Sequence, residues 1–322
     1  MDEAALVELV QRLSQPQEGR ETLRPVGGQV TLGCVVREGR LVYSWGDPEA
    51  RFGWYSASKP VLATLLFFAI QRGLLSGPEA MIADQGWALV EKDRTMTFAH
   101  LANMMSGYGC AERPGEAWGY NDYGIRLLAL SLERAYGREL NEAAMRCFAP
   151  LALQGGRILG PDNQKGHGVT LTPRDFARIG WFWVNRGAWG GGQVLEREFF
   201  DGYMRPHVPR GIPRTVTKDQ EGNDYLGIGS YGGGVNQRAY GGGRYGYTWW
   251  FNAPKGEGDA EGLVWPDAPE DTFAAIGYGG NLMVMMPSKR LVVAGRGNWS
   301  GTRPQADDLN ANLKLLAEAA GS

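Results

Sequence analysis

The sequence predicts an α/β chain of the α+β type. One antiparallel sheet is built from both chain ends and flanked by helices, with an all-helical lobe inserted between them. Three observations predict it. Short runs of β-branched and aromatic residues fall before residue 50 and again after residue 225. Apolar residues at helical spacing dominate the stretch between. The chain closes on an amphipathic helix. Strands at both ends with helices inserted fit one sheet closed around an insertion. The division expected is 1–74 with 211–322 as the α/β lobe and 75–210 as the mostly helical lobe, with an active site between them.

The elements follow in order. Thr31 to Arg37 and Leu41 to Trp45 read as a hairpin about Glu38-Gly39-Arg40. The run Tyr55 to Ile70 reads as a buried helix that ends near Gly73. Phe98 to Met105 is a helix candidate, and Tyr123 to Tyr136 has helical periodicity stopped by Gly137. Thr172 to Val184 combines a threonine N-cap with Pro173 at the first helical position. Leu226 to Asn236, Arg244 to Asn252 and Phe273 to Gly277 are glycine- and aromatic-rich strand candidates. Leu282 to Met286 and Leu291 to Gly295 form a second hairpin about Pro287-Ser288-Lys289, and Asp307 to Ala320 is the last helix.

Composition narrows the function. With 33 basic against 35 acidic residues the net charge is −2, which offers no footprint for nucleic acid or an anionic membrane. Three scattered cysteines, Cys34, Cys110 and Cys147, do not suggest a disulfide framework, and reduced thiols in a cytoplasm are the simpler expectation. The acidic amphipathic start does not look like a secretory signal, and the run Pro60 to Ile70 is too short to span a bilayer. The oligomeric state is not legible.

Ser56-Ala57-Ser58-Lys59 carries the chemistry. Residues three apart share one helix face, so the Lys59 amine can reach the Ser56 hydroxyl. Serine needs such a base, and burial favours a lysine's neutral form. Pro60 fits only the first turn, which puts Ser56 at the positive helix end with backbone N–H groups free for an oxyanion. An N-cap serine with a solvated lysine is the plain alternative. Tyr120-Asn121-Asp122 follows a Pro-Gly turn on a loop before a helix, where it either presents a phenol to a cleft or caps the lobe. Ile276 to Asn281 (IGYGGN) ends a strand, with glycines that permit close approach of a ligand or simply a tight turn.

Together the three segments resemble the serine β-lactamase and penicillin-recognising superfamily, most of all its esterase-type branch of class C-like and family VIII carboxylesterase-like proteins. That pattern is S-x-x-K, then Y-x-N, then K-T-G, H-x-G or W-x-G. Ser56 and Lys59 match the first motif. Tyr120 matches the second, with Asp122 where asparagine is usual. Tyr278-Gly279-Gly280 matches the third, with tyrosine for the cation. Phe98 to Tyr108 and Thr172 to Gly192 resemble further family segments, so the likeness runs from about Gly33 to Gly297. It implies a serine β-lactamase-like fold and a cofactor-free serine hydrolase acting on a small-molecule ester or amide. Ser56, Lys59 and Tyr120 would be catalytic. The N–H groups of Ser56 and Asn281 would form the oxyanion hole, with Tyr278, Gly279, Gly280 and Asp122 lining the substrate site. Asp122 would raise the lysine pKa and shift the base role to Tyr120, and Tyr278 tilts the expectation from β-lactams toward neutral esters or amides. Arg244 and Arg296 are the candidates to replace the missing cation. A β-lactamase, a D-amino-acid amidase or oligoamide hydrolase, and a non-catalytic binder are the alternatives.

Other signals carry less. Gly227 to Gly232 fits G-x-G-x-x-G by letter but lacks a following helix pattern, and no G-x-S-x-G elbow is present. His100, His167 and His207 lack ligand spacing, so neither a metal site nor a histidine triad is favoured.

Overall fold

The computed structural model describes residues 1–14, 31–160, 168–217, 223–236, 239–254, 262–299 and 307–321. His167 lies outside them. The chain opens with α1 (Glu3–Ser14), β1 (Leu32–Arg37), β2 (Arg40–Trp45), β3 (Phe52–Gly53) and α2 (Lys59–Gln71). Then come α3 (Phe98–Ala102), β4 (Tyr120–Asn121), α4 (Asp122–Tyr136), α5 (Leu140–Cys147), β5 (Leu159–Gly160), β6 (Gly168–Leu171) and α6 (Pro173–Val184). The short pair β7 (Ala188–Trp189) and β8 (Gly192–Gln193) precedes α7 (Arg197–Tyr203) and β9 (Val235–Asn236). The last part holds β10 (Tyr245–Gly246), β11 (Trp249–Phe251), β12 (Phe273–Gly277), β13 (Asn281–Met286), β14 (Leu291–Arg296) and α8 (Asp307–Ala319).

The main sheet has seven strands in the order β10-β11-β12-β13-β14-β1-β2, so both chain ends build it as expected. Every pairing is antiparallel, and β1 from the N-terminal part lies beside β14 from the C-terminal part. All six residues of β13 are buried, a pattern that requires cover on both faces. α6 lies across one face, close enough that a Cβ on Gly180 would stand 2.6 Å from Met283 and 2.7 Å from Val292. Within the stretch 75–210, α6 bridges the sheet and α2. Trp183 meets Trp249 of β11 (5.3 Å) and donates its indole N–H to Thr64 of α2 (3.0 Å), while Phe182 stacks with Phe68 of α2 (6.3 Å). α1 and α8 pack on each other, joining the two termini.

α2 is buried on all sides from Lys59 to Ala69, as a helix apolar all round should be. It packs on α4 and α5, while Phe67 stacks toward Trp249 of the sheet (6.3 Å) and Phe68 meets Phe148 (5.7 Å). It is thus the shared core of both halves.

Three local expectations change. Phe98 to Met105 yields only the short α3, because Asn103 caps it and Met104 turns left-handed at φ +60°. Tyr120-Asn121 is not loop but the strand β4, paired with β9. Leu226 to Asn236 forms a strand only at its end. The Asp224 carboxylate accepts from the Ile228 and Gly229 N–H groups (3.3 and 2.7 Å), which holds that stretch as a side-chain-bonded turn. Cys34, Cys110 and Cys147 are buried, and none of them is in a disulfide. Among the described residues no helix is long and apolar enough to cross a membrane.

Candidate active site

Ser56 lies in a 3-10 turn, Tyr55–Ser58, that runs straight into α2, so Lys59 begins the α-helix and Pro60 sits in its first turn. The turn is held from outside. The Trp54 N–H donates to Val169 O (3.0 Å), the Trp54 indole to Leu171 O (3.0 Å), and the Val169 N–H to Ser58 Oγ (2.9 Å). Ser58 is thereby occupied as a bracket, leaving Ser56 as the serine beside the amine. Tyr55, just before it, sits at φ +50°, a left-handed position that a tyrosine adopts only when its surroundings impose it.

The Lys59 Nζ donates to Ser56 Oγ at 2.6 Å. The same nitrogen is 2.9 Å from Asp122 Oδ1 and 4.8 Å from the centroids of both the Tyr120 and Tyr231 rings. Lys59 is 1% exposed. Burial on its own pushes the amine toward neutrality, as the apolar run suggests. The Asp122 carboxylate, then Tyr120 and Tyr231, outweigh it and drive the Lys59 pKa above the ordinary lysine range. The simple expectation of a lysine made basic by burial is thus reversed by Asp122, as the second-motif departure foreshadowed.

Asn121 explains why Tyr120 and Asp122 flank the lysine. Its Oδ1 caps α4 by accepting the Gly124 N–H (2.9 Å), and its Nδ2 donates to Tyr108 O (2.9 Å). The strand ends there and the helix starts, so Tyr120 and Asp122 sit either side of the cap. The Tyr120 ring is buried, lying nearly parallel to Trp250 (6.3 Å, 12°) and edge-on to Tyr245 (6.4 Å).

The third motif comes in over a free sheet edge. β11 pairs with β12 only as far as Ala274, and beyond that point β12 runs against the serine turn. A Cβ on Gly277 would stand 2.5 Å from Trp54 O and 2.9 Å from the Ala57 N, so only glycine allows this approach. The Tyr278 ring meets Tyr55 edge-on at 5.8 Å and is 39% exposed, at the rim. Gly279 and Gly280 turn the chain back. Gly280 has φ +75°, and a Cβ there would collide with Gly297 O.

Asn281 is placed differently from the expected oxyanion donor. The Gly297 N–H donates to Gly280 O (3.1 Å), which makes Asn281 and Arg296 a non-hydrogen-bonded pair across β13 and β14. The Asn281 N–H therefore faces β12, where Gly277 is its partner, and is turned into the ladder. Alternation puts the Tyr278 N–H on the opposite edge, toward the serine turn. The Asn281 side chain instead ties the turn down, its Nδ2 donating to Tyr278 O at 2.5 Å.

Of the two arginines, Arg244 is buried against Tyr240 (6.0 Å), whereas Arg296 lies over Phe52 (5.9 Å), where burial lowers its pKa against the opposing pull of Tyr55. His100 sits in the capping box of α3 with Thr97, and His207 packs edge-on to Tyr247 (4.9 Å). Among the described residues no group of three His, Cys, Asp or Glu is arranged to hold a metal ion. Sequence reasoning missed Tyr231 and Gly277. Gly277 begins the glycine run of the third motif and carries a signal in its strand-end position. Tyr231 carries none, since it lies more than 170 residues from Lys59 in a glycine-rich stretch.

A hydroxyl, an amine and a phenol gathered at the edge of an antiparallel sheet, beneath helices, define a protein of the penicillin-recognising class. The chain belongs to the Beta-lactamase family, whose model matches residues 31–318. Solved structures share the fold. A β-lactamase from Mycobacterium bovis has TM-score 0.60 at 18% identity, over 90% of this chain and 95% of that one. A penicillin-binding protein homologue from Caulobacter crescentus has TM-score 0.64 at 14% identity, over 98% and 97%. EstCE1, a hydrolase with promiscuous acyltransferase activity, has TM-score 0.61 at 16% identity, over 99% of both chains. No curated protein sequence matches the chain.

Proposed function

We propose that this protein is a serine hydrolase that cleaves ester or amide bonds of small molecules through an acyl-Ser56 intermediate, with carboxylesters as its preferred class. The observation that carries the reading is the 2.6 Å contact of Lys59 Nζ with Ser56 Oγ, beside the buried Tyr120 ring. Ser56 attacks the carbonyl. Because Asp122 keeps Lys59 an ammonium, Tyr120 acts as the base in its phenolate form. It takes the Ser56 proton as the Oγ–carbonyl bond forms and gives it to the leaving group as the scissile bond breaks. Water then releases the acyl group by the same proton path, while Lys59 holds Ser56 Oγ in line and offsets the phenolate charge. The N–H groups of Ser56 and Tyr278 stabilise the oxyanion, where loss of one donor typically costs about 3 kcal/mol.

The ester preference rests on the third motif. No lysine, arginine or histidine lies between Phe273 and Asn281, so nothing in the motif itself anchors a carboxylate. Likeness in fold to EstCE1, a hydrolase with promiscuous acyltransferase activity, supports acyl transfer as the chemistry. The test is turnover of a short p-nitrophenyl ester, a chromogenic cephalosporin and a D-amino-acid anilide by wild type and Ser56→Ala, with intact-mass analysis for an acyl adduct. Ester turnover and an adduct, both lost in Ser56→Ala, are the expected result. Turnover of the cephalosporin or the anilide alone would redirect the substrate class, and full activity in Ser56→Ala would overturn the site.

A further inference from the structure

Tyr231 belongs to none of the three motifs, yet its ring faces Lys59 at the same 4.8 Å as the Tyr120 ring. We propose that Tyr231 is a positioning residue: its aromatic face and the Asp122 carboxylate clamp the Lys59 ammonium against Ser56, and the ring face rather than the hydroxyl does this. The inference rests on the acyl-Ser56 reading for its kinetic consequence, though not for its geometry.

The clamp is built by one segment. The Tyr231 N–H donates to Asp122 O (2.9 Å), and a few residues on, β9 pairs with β4 so that Asn121 and Tyr120 face Val235 and Asn236. Between them, a Cβ on Gly233 would stand 3.0 Å from Asp122 Oδ2, so the chain passes flush against the carboxylate. The segment that presents the ring therefore also seats the carboxylate, and the two partners of Lys59 cannot shift independently. Tyr231 is 1% exposed. A cation within about 6 Å of a ring centroid is attracted to the ring's negative face, most strongly where water is excluded.

The groups that face Lys59 come from every element around it: Ser56 from its own turn, Tyr120 from β4, Asp122 from α4 and Tyr231 from the loop before β9. Tyr245 stands behind Tyr120, and burial pushes its phenol far up, so it adds no charge. Asp122 supplies the charge that keeps the amine protonated. The two rings supply direction, because an ammonium in contact with two aromatic rings has little freedom to swing off the serine.

The experiment compares wild type, Tyr231→Phe and Tyr231→Leu, each checked for folding by circular dichroism and thermal melting. Two readouts are taken: p-nitrophenyl ester kinetics, and the NMR resonance of the Lys59 ε-methylene in lysine-labelled protein. The two nearby rings should shift that resonance upfield in wild type and Tyr231→Phe, with the shift reduced in Tyr231→Leu. The expected kinetics are a kcat loss of about tenfold in Tyr231→Leu with KM little changed, restored to within about threefold by Tyr231→Phe. A Tyr231→Phe variant as impaired as Tyr231→Leu would overturn the proposal in favour of hydroxyl chemistry. Full kcat or an unmoved methylene resonance in folded Tyr231→Leu would overturn it outright. Failure of wild type to form an acyl adduct refutes the hydrolase reading alone, since the resonance still judges the clamp.

Discussion

The two walls of the site are made by different means. The nucleophile wall, Trp54 to Pro60, is set by neighbours in sequence: a three-residue spacing, a helix start and a proline that fixes it. The opposite wall is assembled from three distant pieces, Tyr120 and Asp122 across an α4 cap, Tyr231 from a side-chain-bonded loop, and the Gly277 end of a strand. In the proposed mechanism the first wall supplies the reacting oxygen, and the second sets the charge of the amine beside it. Local sequence can place a nucleophile, whereas its electrostatics depend on which remote groups the fold delivers.

Gly277 is where the two walls touch, and breaking that contact gives the largest expected effect. A methyl group there meets Trp54 O and the Ala57 N, both backbone atoms that cannot rotate away. Gly277→Ala must push β12 off the serine turn and with it the Tyr278 N–H away from the proposed oxyanion site. A displacement near 1 Å costs on the order of a hundredfold in rate. The expected outcome is a kcat/KM loss of about that size on a p-nitrophenyl ester, in protein whose circular dichroism is unchanged. Retention of wild-type kcat would show that the strand edge does not shape the reaction.

The same contrast explains what was legible in the residues. The sheet from both chain ends follows from Thr31 to Trp45 and Leu282 to Gly295, because in each hairpin two short strand-forming runs are separated by only a few turn residues. Ser56, Lys59, Tyr120 and Asp122 were legible as motif members, and the structure brings all four together. Asn281 was misjudged as a donor because strand parity decides where an N–H points, and parity becomes visible only once Gly297 is seen to bond Gly280. The Thr172 to Val184 helix is legible as a helix, but its amphipathic stripe does not name the surfaces it covers, which are the sheet and α2. Tyr231 was invisible because Lys59 meets it only through tertiary contact.

Asp122 gives the next effect, on charge. Its carboxylate keeps the folded-state pKa of Lys59 above the unfolded value of 10.5. A raised pKa stabilises the fold fully below the unfolded value, and that contribution is lost as pH climbs through the folded value. Asp122→Asn removes the charge and keeps the shape, so burial is no longer outweighed to the same degree and the lysine pKa falls. The alkaline limb of kcat should move to lower pH, within a rate change of about tenfold at pH 7. Urea unfolding should show wild type ahead of the variant by about 1–3 kcal/mol near neutrality, a margin that shrinks once the pH passes the ordinary lysine range. An unmoved alkaline limb would mean that Asp122 does not set the charge of Lys59.

The smallest expected effect lies farther out, where the Tyr231 loop is tied to the helical half. Tyr225 OH donates to Asp93 Oδ2 (2.8 Å) and Tyr108 OH to Asp224 Oδ1 (2.5 Å), two phenol–carboxylate bonds joining the loop to the body. Asp93 is fully buried, and burial pushes its carboxyl up, opposed first by the Lys92 hydrogen bond and then by that from Tyr225. Tyr225→Phe removes one of the opposing bonds, so the Asp93 pKa rises further. A carboxyl raised in the folded state adds stability in acid that disappears as pH rises through its folded pKa, so the variant's deficit grows from acid to neutral pH. Expected is a loss of about 1 kcal/mol at pH 7, less near pH 4, from urea unfolding, with kcat changed by less than about threefold. A deficit larger in acid than at neutrality would reverse the assigned sign. A large fall in kcat would instead extend the reactive wall outward to Tyr225, making the loop's anchorage part of how Lys59 is held.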